Sequence, residues 1–438
     1  MPDRRPTLLI VSQTFVPDPA AVGQHLAEVA AAMARRGWRV RVYTSARGYD
    51  DPSQRYTRRE DRDGVEVRRL PFSSFGKGSI AIRLLGGFTF LFQAVLRALW
   101  LRRIDAILIS TSPPVAPLGS MVLSALRRAP VTFWAMDINP DQLIAAGQAT
   151  ATSLPARAFD WMYRRTLRGA AKVVALDRFM GERLERKAPL GDRLAILPPW
   201  SHLDASRPPL DHADNPFRRE HGLGDKFVVM YSGNLSPVHP LDTILDAADR
   251  LRDQPNIAFV FIGGGRGARL VEQTIAEKKL PNTRRLPYQP LDTLHRSLSA
   301  ADAHLVSMGE AMVGIVHPCK VYGAMAVGRP VLFVGPRPCH VTDLLDRADI
   351  GRHVDHGDVD AAVAAILELQ RLTPEQRLAM GARAQGIVRE SLAPARLCEA
   401  FCDLLVANAR RPAAIESTRA TAARAGLTAT ARFLDCVA

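Results

Sequence analysis

Short apolar runs alternate along the chain with segments whose apolar side chains recur at helical spacing. In the first half, such runs begin near residues 7, 39, 65, 105 and 131. The segment 23–37 has helical periodicity, and Gly37 is well placed to end that helix. Strands and helices that alternate in this way predict a parallel sheet covered by helices on both faces.

The same alternation restarts near residue 227, with further runs near residues 257, 303 and 330. The stretch between the two halves is rich in Pro, Asp and His and has no sustained periodicity. A chain of 438 residues is also long enough for two domains. We therefore predict an α/β protein with two Rossmann-like parallel-sheet domains facing a cleft. The predicted boundaries are an N-terminal domain 1–205, a linker 206–225, a C-terminal domain 226–409 and a loose Ala/Thr/Arg-rich tail 410–438.

Composition narrows the class of protein. Hydrophobic residues make up 47% of the chain, which excludes wholesale disorder. The apolar run near the N-terminus, residues 8–11, is short for a signal peptide and fits a buried first strand better. The five cysteines are odd in number and lack CxxC spacing, which favours a reducing cytoplasm over disulfides or a zinc site.

The formal net charge is +14, and residues 1–105 hold 18 Lys and Arg against 10 Asp and Glu. Arg58 and Arg59 lie within the densest basic stretch. A basic face attracts anionic lipid, nucleic acid or an acidic substrate, although a solvated arginine-rich surface explains the same composition. Because basic and aromatic residues do not interleave in a nucleic-acid motif, we expect no nucleic-acid partner.

The segment 79–101 is apolar but is interrupted by Arg83, Gln93 and Arg97. These polar residues make it too broken to span a bilayer. Two interpretations stay open: a helix that lies on a membrane surface through Phe88 and Phe90, and an ordinary buried helix of the first domain.

Three loops of the second half have residue types that suit a phosphorylated ligand. The loop SGNLSPVHPLD contains Gly233, Asn234 and His239 between a predicted strand and a predicted helix, where backbone amides can receive a diphosphate. Gly264 lies in a glycine run that permits close approach of a ligand or simply forms a tight turn. Gln289 lies in a loop whose backbone can read a nucleobase. Each stretch also fits an ordinary connecting loop.

The stretch GIVHPCKVYGAMAVGRPV, residues 314–331, is more informative. A Pro-Cys-Lys turn falls where a helix should begin, which places Lys320 beside the free amides of a helix N-terminus. A lysine there can hold a phosphate as a point charge, with the amides around Cys319 and Val321 in support. A surface lysine near a helix start is the alternative.

The first half offers a glycine and two carboxylates. Gly23 at a helix start allows a sugar or phosphate to approach, or it packs against a neighbouring element. Asp137 and Asp141 follow a predicted strand, where a carboxylate can bind sugar hydroxyls or take a proton. Asp141 also fits the cap of the next helix.

The order of these motifs resembles the family 4 retaining, nucleotide-sugar-dependent glycosyltransferases with the GT-B fold, over roughly residues 7–405. The bacterial branch that builds O-antigen, capsule and exopolysaccharide is the most similar. The resemblance implies a UDP-linked donor in the second domain and a lipid-linked saccharide acceptor in the first. Transfer of a hexose or N-acetylaminosugar would occur at the inner face of the cytoplasmic membrane, with neither metal nor cofactor.

The sequence departs from that family at four positions. Asn234 and His239 stand where many members have Arg and Lys, and Ile315 and Gly323 stand where many have two glutamates. We therefore take Lys320 as the replacement cation. The family's frequent first-domain histidine aligns with Asp137, which makes Asp137 and Lys320 our catalytic candidates.

Two other functions remain open. A sugar-nucleotide 2-epimerase shares the architecture but needs no membrane, so the basic N-terminal half and the segment 79–101 count against it. A non-catalytic, membrane-peripheral binding protein is consistent with the missing glutamates.

Overall fold

The computed structural model of the protein describes residues 5–18, 20–48, 51–75 and 80–409. The chain divides into two compact units. Unit 1 comprises the described residues up to 199 together with 314–316 and 395–409, and unit 2 comprises residues 200–313 and 317–394. The predicted tail 410–438 lies outside the described residues.

Unit 1 contains an eight-stranded sheet, parallel except for one edge strand. Its strands are β1 Thr7–Val11, β2 Arg39–Ser45, β3 Arg59–Arg62, β4 Val65–Leu70, β5 Ala106–Ser110, β6 Val131–Trp134, β7 Lys172–Ala175 and β8 Leu194–Ile196. The strand order is β3-β4-β2-β1-β5-β6-β7-β8, and β3 pairs antiparallel with β4. The central strand β1 is wholly buried, which explains why its last four residues, Leu8 to Val11, form an uninterrupted apolar run.

The helices of unit 1 follow its strands. They are α1 Ala21–Arg35, α2 Ile80–Leu99, α3 Ala116–Arg127, α4 Asp141–Ala145, α5 Leu154–Gly169 and α6 Arg178–Lys187. Helix α1 ends at Arg35 with Arg36 as its C-cap, and the next residue, Gly37, has a φ of 83° and donates its amide to the carbonyl of Ala34. The predicted helix end at Gly37 is thereby confirmed to within one residue.

Unit 2 contains a six-stranded parallel sheet in the order β11-β10-β9-β12-β13-β14. Its strands are β9 Phe227–Ser232, β10 Ile257–Ile262, β11 Thr283–Leu286, β12 Ala303–Ser307, β13 Val331–Val334 and β14 Gly351–Val354. Its helices are α7 Pro216–Glu220, α8 Asp242–Arg250, α9 Ala268–Lys278, α10 Leu294–Ser299, α11 Lys320–Ala326, α12 His340–Arg347, α13 Val359–Arg371 and α14 Pro374–Ser391. Apolar side chains on both faces of the sheet form separate core clusters.

The last helix, α15 Pro394–Ala407, returns to unit 1 although it follows unit 2 in sequence. Its Phe401 is fully buried, with its ring centroid 4.3 Å from that of Trp134. Arg36 forms ion pairs with Glu399 and Asp403 on the exposed side of the helix. Side-chain packing thus assigns α15 to unit 1, whereas the sequence placed residues up to 409 in the second domain.

The predicted linker 206–225 also differs from the structure, because it contains helix α7 and belongs to unit 2. Asn215 caps α7 by accepting a hydrogen bond from the amide of Phe217. The ring of Phe217 is buried in the core of unit 2. An Asn cap followed by Pro216 is a recognisable helix start, but a helix of five residues is too short for its periodicity to be detected.

Candidate functional site

In unit 2, the loops that follow β9, β10 and β12 meet at the carboxyl edge of the sheet. We call the group formed by Tyr231, Gly233, His239, Ser307 and Lys320 the Lys320 site. This edge is where open parallel sheets bind their ligands.

Lys320 is the first residue of α11, as predicted, and its side chain is half-buried. Its Nζ lies 5.2 Å from the centroid of the Tyr231 ring, a cation–π contact. Burial lowers the pKa of Lys320 to about 8. Within the described part of the chain, no carboxylate lies within ion-pair distance of its ammonium group. A half-buried cation without a counterion is typical of a site that receives an anion.

Gly233 makes room for this lysine. Its φ of 141° is a conformation that side chains rarely adopt, and a Cβ placed there would lie 2.7 Å from Cε of Lys320. Next to it, a Cβ on Gly263 would lie 1.9 Å from the carbonyl oxygen of Gly233. The loops after β9 and β10 therefore pack backbone against backbone, and the glycines have a structural reason in addition to any ligand contact.

His239 cannot supply a second positive charge at neutral pH. Burial, and then the nearby Lys320, hold the pKa of His239 well below its ordinary value. Its Nδ1 lies 2.7 Å from the carbonyl oxygen of Ser307. Because that carbonyl can only accept, Nδ1 carries the proton and Nε2 keeps a lone pair. The structure therefore supports hydrogen bonding, and not positive charge, as the contribution of His239.

The backbone around Lys320 corrects part of the sequence prediction. The amide of Cys319 donates to the carbonyl of His317 at 2.9 Å, and the amide of Val321 donates to that of Pro318 at 3.3 Å. These two amides therefore have local partners, and the Val321 side chain is fully buried. Nε2 of His317 lies 2.6 Å from the hydroxyl of Tyr322, which fixes the turn before the helix. The ammonium of Lys320 is the group of this turn that offers positive charge.

The other predicted donor-binding residues lie near the same edge. Asn234 is exposed, and its carbonyl accepts a hydrogen bond of 2.7 Å from the hydroxyl of Tyr231. Gly264 lies beneath the ring of Tyr288, since a Cβ on it would lie 3.0 Å from that ring. Gln289 is half-buried and donates its side-chain amide to the carbonyl of Pro287. The sequence analysis missed Tyr288, an exposed aromatic face above a glycine loop.

In unit 1, Asp137 follows β6 in a half-buried position. Burial raises the pKa of Asp137 to about 6. Asp141 has a different role: its carboxylate pairs with Arg183 at 3.2 Å and with Lys187 at 2.6 Å. Pro140, not Asp141, occupies the cap position of α4. Asp137 thus stays a chemical candidate, whereas Asp141 links helices α4 and α6.

Gly23 is a packing glycine. It is buried within α1, and a Cβ on it would lie 2.9 Å from Cα of Phe15. Its amide donates to the carbonyl of Ala20 at 2.9 Å. Of the two interpretations of Gly23, approach of a sugar or phosphate and packing, the structure supports packing, because both its amide and its open face are occupied by protein.

The predicted acceptor and membrane residues divide into exposed and buried members. Arg58, Arg59 and Phe88 are exposed. Phe90 is completely buried, so its predicted contact with a membrane is wrong. Two positions along a helix turn a side chain by roughly 200°, which explains why the two phenylalanines face opposite sides.

The structure brings together Lys320, Gly233 and His239, and places Asn234 and Gly264 in the adjoining loops. Gly23 and Asp137 belong to unit 1. Tyr231 and Ser307 were not predicted as site residues. Each ends or nearly ends a buried apolar strand, which is the sequence signal that marks this edge.

The protein thus has two Rossmann-like units, and among the described residues the ammonium of Lys320 at the carboxyl edge of unit 2 has no carboxylate partner. Residues 20–200 match the family model described as "Glycosyl transferase 4-like domain". Residues 214–386 match the model described as "Glycosyl transferases group 1". The chain belongs to the GT4 family of glycosyltransferases and has the GT-B fold, as the sequence predicted.

Named relatives agree with this assignment. The chain is 26% identical over 377 residues to WcaI of Escherichia coli K12, a protein named for colanic acid biosynthesis, with 82% of this chain and 91% of WcaI covered. It is 27% identical over 298 residues to the glycosyltransferase WbjE of Pseudomonas aeruginosa, covering 66% and 73% of the two chains. The crystal structure of Anabaena HepE with UDP and glucose superposes with a TM-score of 0.69 at 15% identity, covering 91% and 99%.

Proposed function

We propose that the protein transfers a sugar, with retention at the anomeric carbon, from a UDP-sugar to a lipid-linked saccharide during synthesis of a bacterial surface polysaccharide. The observation that carries the proposal is the half-buried, uncompensated ammonium of Lys320 at the carboxyl edge of unit 2. The HepE structure with UDP and the naming of WcaI for colanic acid support the choice of donor and pathway class.

In the proposed reaction, an acceptor hydroxyl oxygen bonds to the anomeric carbon while the bond from that carbon to the diphosphate oxygen breaks. The acceptor proton passes to the departing diphosphate, which leaves as UDP. Lys320 lies against the diphosphate and stabilises the negative charge that grows on it, which is the largest catalytic contribution expected of such a site. Nε2 of His239 accepts a hydrogen bond from a hydroxyl group of the UDP-sugar.

For unit 1 we propose acceptor binding, in which Asp137 hydrogen-bonds to a sugar hydroxyl. A carboxyl with a pKa near 6 is ionised at neutral pH and accepts such a bond. We place the enzyme on the cytoplasmic side of the membrane, where nucleotide sugars and unpaired thiols are both expected.

A donor screen tests the proposal. Thermal unfolding is followed with UDP-, GDP- and dTDP-sugars in the presence of EDTA, because a ligand that binds the folded state raises its melting midpoint. We expect a shift with UDP-sugars in the wild type and none in Lys320→Gln. Lys279→Gln, at a lysine outside the Lys320 site, serves as the matched control.

Product analysis then separates the possible reactions. NMR of donor incubated alone would reveal a 2-epimer if the protein were an epimerase. Absence of any shift with all donors, in the wild type, would contradict the proposal.

A further inference from the structure

Helix α2 has an apolar surface that is exposed to solvent, in addition to the apolar side that is buried in unit 1. We call it the α2 outer face, and it consists of exposed apolar residues of α2 with the exposed aromatic residues on either side of the helix: Phe72, Phe75, Ile82, Leu85, Phe88, Phe92, Leu96, Leu99 and Trp100. The six helical members recur every three or four positions and so lie along one side of the helix. Sixteen large apolar side chains are exposed in the described residues, and nine of them are in this one stretch.

The opposite side of α2 is apolar as well and packs on the rest of unit 1. Phe90, Leu91, Ala94 and Ala98 are buried there. A Cβ on Gly87 would lie 2.8 Å from the Val115 side chain, so the glycine allows the helix to approach its neighbour closely. A surface helix of a soluble domain normally shows mainly polar residues on its outer side. Among the described side chains of α2, six of the seven exposed ones are apolar, and Arg97 is the seventh.

This packing decides how the helix relates to a membrane. Among the described residues, α2 is the one helix that is long and apolar enough to cross a bilayer, by length and composition. However, a third of that window is buried in unit 1, including the fully buried Phe90 and Ala98. A spanning orientation would strip this packed side from the sheet, whereas an in-plane orientation keeps it and buries only the outer face in lipid.

The sequence segment that contains α2 is basic, although some of its arginines pair with carboxylates outside it, as Arg69 does with Glu60. From Val67 to Ile104 the sequence contains seven Lys and Arg and no Asp or Glu. Arg97 and Arg102 are exposed beside Trp100, whose side chain is 88% exposed, whereas Arg103 pairs with Asp105 at 2.7 Å. Aromatic residues next to arginines suit the interface of an anionic bilayer. The same arginines oppose the docking of a second copy through this face, because like charges would meet.

We propose that the α2 outer face inserts into the interfacial layer of an anionic membrane with the helix axis in the membrane plane. This inference rests on the proposed function, in which the acceptor is lipid-linked. Insertion of the α2 outer face would hold unit 1 at the bilayer that contains this acceptor. Insertion itself requires no donor.

Vesicle flotation of the full chain tests the proposal. Vesicles of phosphatidylcholine alone are compared with vesicles that also contain about a third phosphatidylglycerol, because an anionic surface attracts basic segments. We expect the wild type to float with the anionic vesicles. A triple variant, Phe88→Gln, Phe92→Gln and Trp100→Gln, should bind at least tenfold more weakly.

A matched triple variant controls for the loss of exposed apolar area. Leu154, Trp161 and Leu378 are equally exposed but lie outside the α2 outer face, and their change to Gln should leave flotation unaltered. Brominated lipids should quench the fluorescence of the wild type more than that of Trp100→Phe. Equal flotation of both triple variants, or no flotation of the wild type, would overturn the proposal.

Two further readouts separate this inference from its alternatives. Sedimentation velocity without vesicles would reveal a dimer that the first triple variant breaks, and such a dimer without vesicle binding would mean that the face binds a second copy. UDP-dependent thermal shifts should be the same in all variants. If flotation behaves as expected but no variant binds a UDP-sugar, the proposed function fails and the membrane surface stands.

Discussion

Unit 2 buries charge at both edges of its sheet, and the two edges treat it in opposite ways. At the amino edge, Asp302 lies 3.2 Å from Arg218 and 3.5 Å from Arg377, and it accepts the amide of Val228 at 2.9 Å. At the carboxyl edge, Lys320 makes a cation–π contact with the ring of Tyr231. Among the described residues, no carboxylate lies within ion-pair distance of its ammonium group. The charge of Asp302 is neutralised by arginines of the protein itself, so Asp302 stabilises the fold. For Lys320 we propose that the counterion comes from a ligand.

The largest expected effect is at the compensated edge. Asp302→Ala would leave the guanidinium of Arg218, which is only 1% exposed, without its counterion. Breaking a buried pair in this way costs roughly 3–5 kcal/mol, which urea unfolding would measure. The exposed pair of Arg337 and Asp346 provides the control, and Asp346→Ala should cost under about 1 kcal/mol. Similar losses in both variants would show that burial of the Asp302 pair adds nothing to its contribution to stability.

Lys320→Met tests the uncompensated edge and should separate activity from stability. We expect turnover to fall by roughly 100- to 1000-fold, as when one charge-stabilising group is removed from an active site. The ligand-free variant should nevertheless unfold at a higher temperature than the wild type, because burial disfavours the cation. Steady-state kinetics and thermal unfolding measure the two effects. Loss of stability together with activity would make Lys320 a structural residue.

The stability difference should depend on pH in a defined direction. The pKa of Lys320 falls from 10.5 in the unfolded chain to about 8 in the folded protein. Below pH 8 the cation is present in both states and its burial is unfavourable. Between pH 8 and 10.5 the folded protein has released the proton, so the advantage of the Met variant should shrink as the pH rises.

Gly233→Ala should weaken donor binding by roughly tenfold, about 1.4 kcal/mol, because its Cβ would displace the Lys320 side chain. Calorimetric titration with UDP measures the loss. Gly222 also has a positive φ, of 57°, but a Cβ placed on it would have no neighbouring atom within 4 Å. Gly222→Ala therefore controls for backbone strain, and equal effects on UDP affinity would show that displacement of Lys320 is not the cause.

The smallest effect is a decline in UDP affinity as the pH rises. Lys320 is cationic below pH 8 and loses its charge above it, so the dissociation constant should increase several-fold between pH 7.5 and 9. The bound phosphate favours the charged amine and will move the transition upward. Lys320→Met shows any change that comes from the ligand itself. An equally steep decline in that variant would assign the titration to another group.

Much of the fold could be predicted because buried parallel strands are simple to recognise. Residues 257–262, for example, are all apolar and all buried. The partner of a charge cannot be read in this way. Asp302 pairs with Arg218, which lies 84 residues earlier. The sequence alone gives no reason why Arg218 should pair with Asp302 and not with another aspartate such as Asp137.

The direction of a helix face is equally hidden from the sequence. Phe88 and Phe90 lie in the same apolar segment, and only the packing of α2 on its sheet decides that the first is exposed and the second buried. The position of Lys320 is easier to predict than the direction of a helix face, because a lysine directly after a Pro-Cys turn at a helix start is a local signal.

Helix α15 has a practical consequence for work on isolated halves of the enzyme. Phe401 packs against Trp134, which is fully buried in the intact chain. A fragment that stops at residue 199 would therefore expose the indole ring of Trp134 to solvent. Such a fragment would be expected to aggregate, however well its strands pair. A soluble N-terminal half should instead carry residues 395–409 fused behind residue 199 through a flexible linker, with unit 2 excised as an insertion.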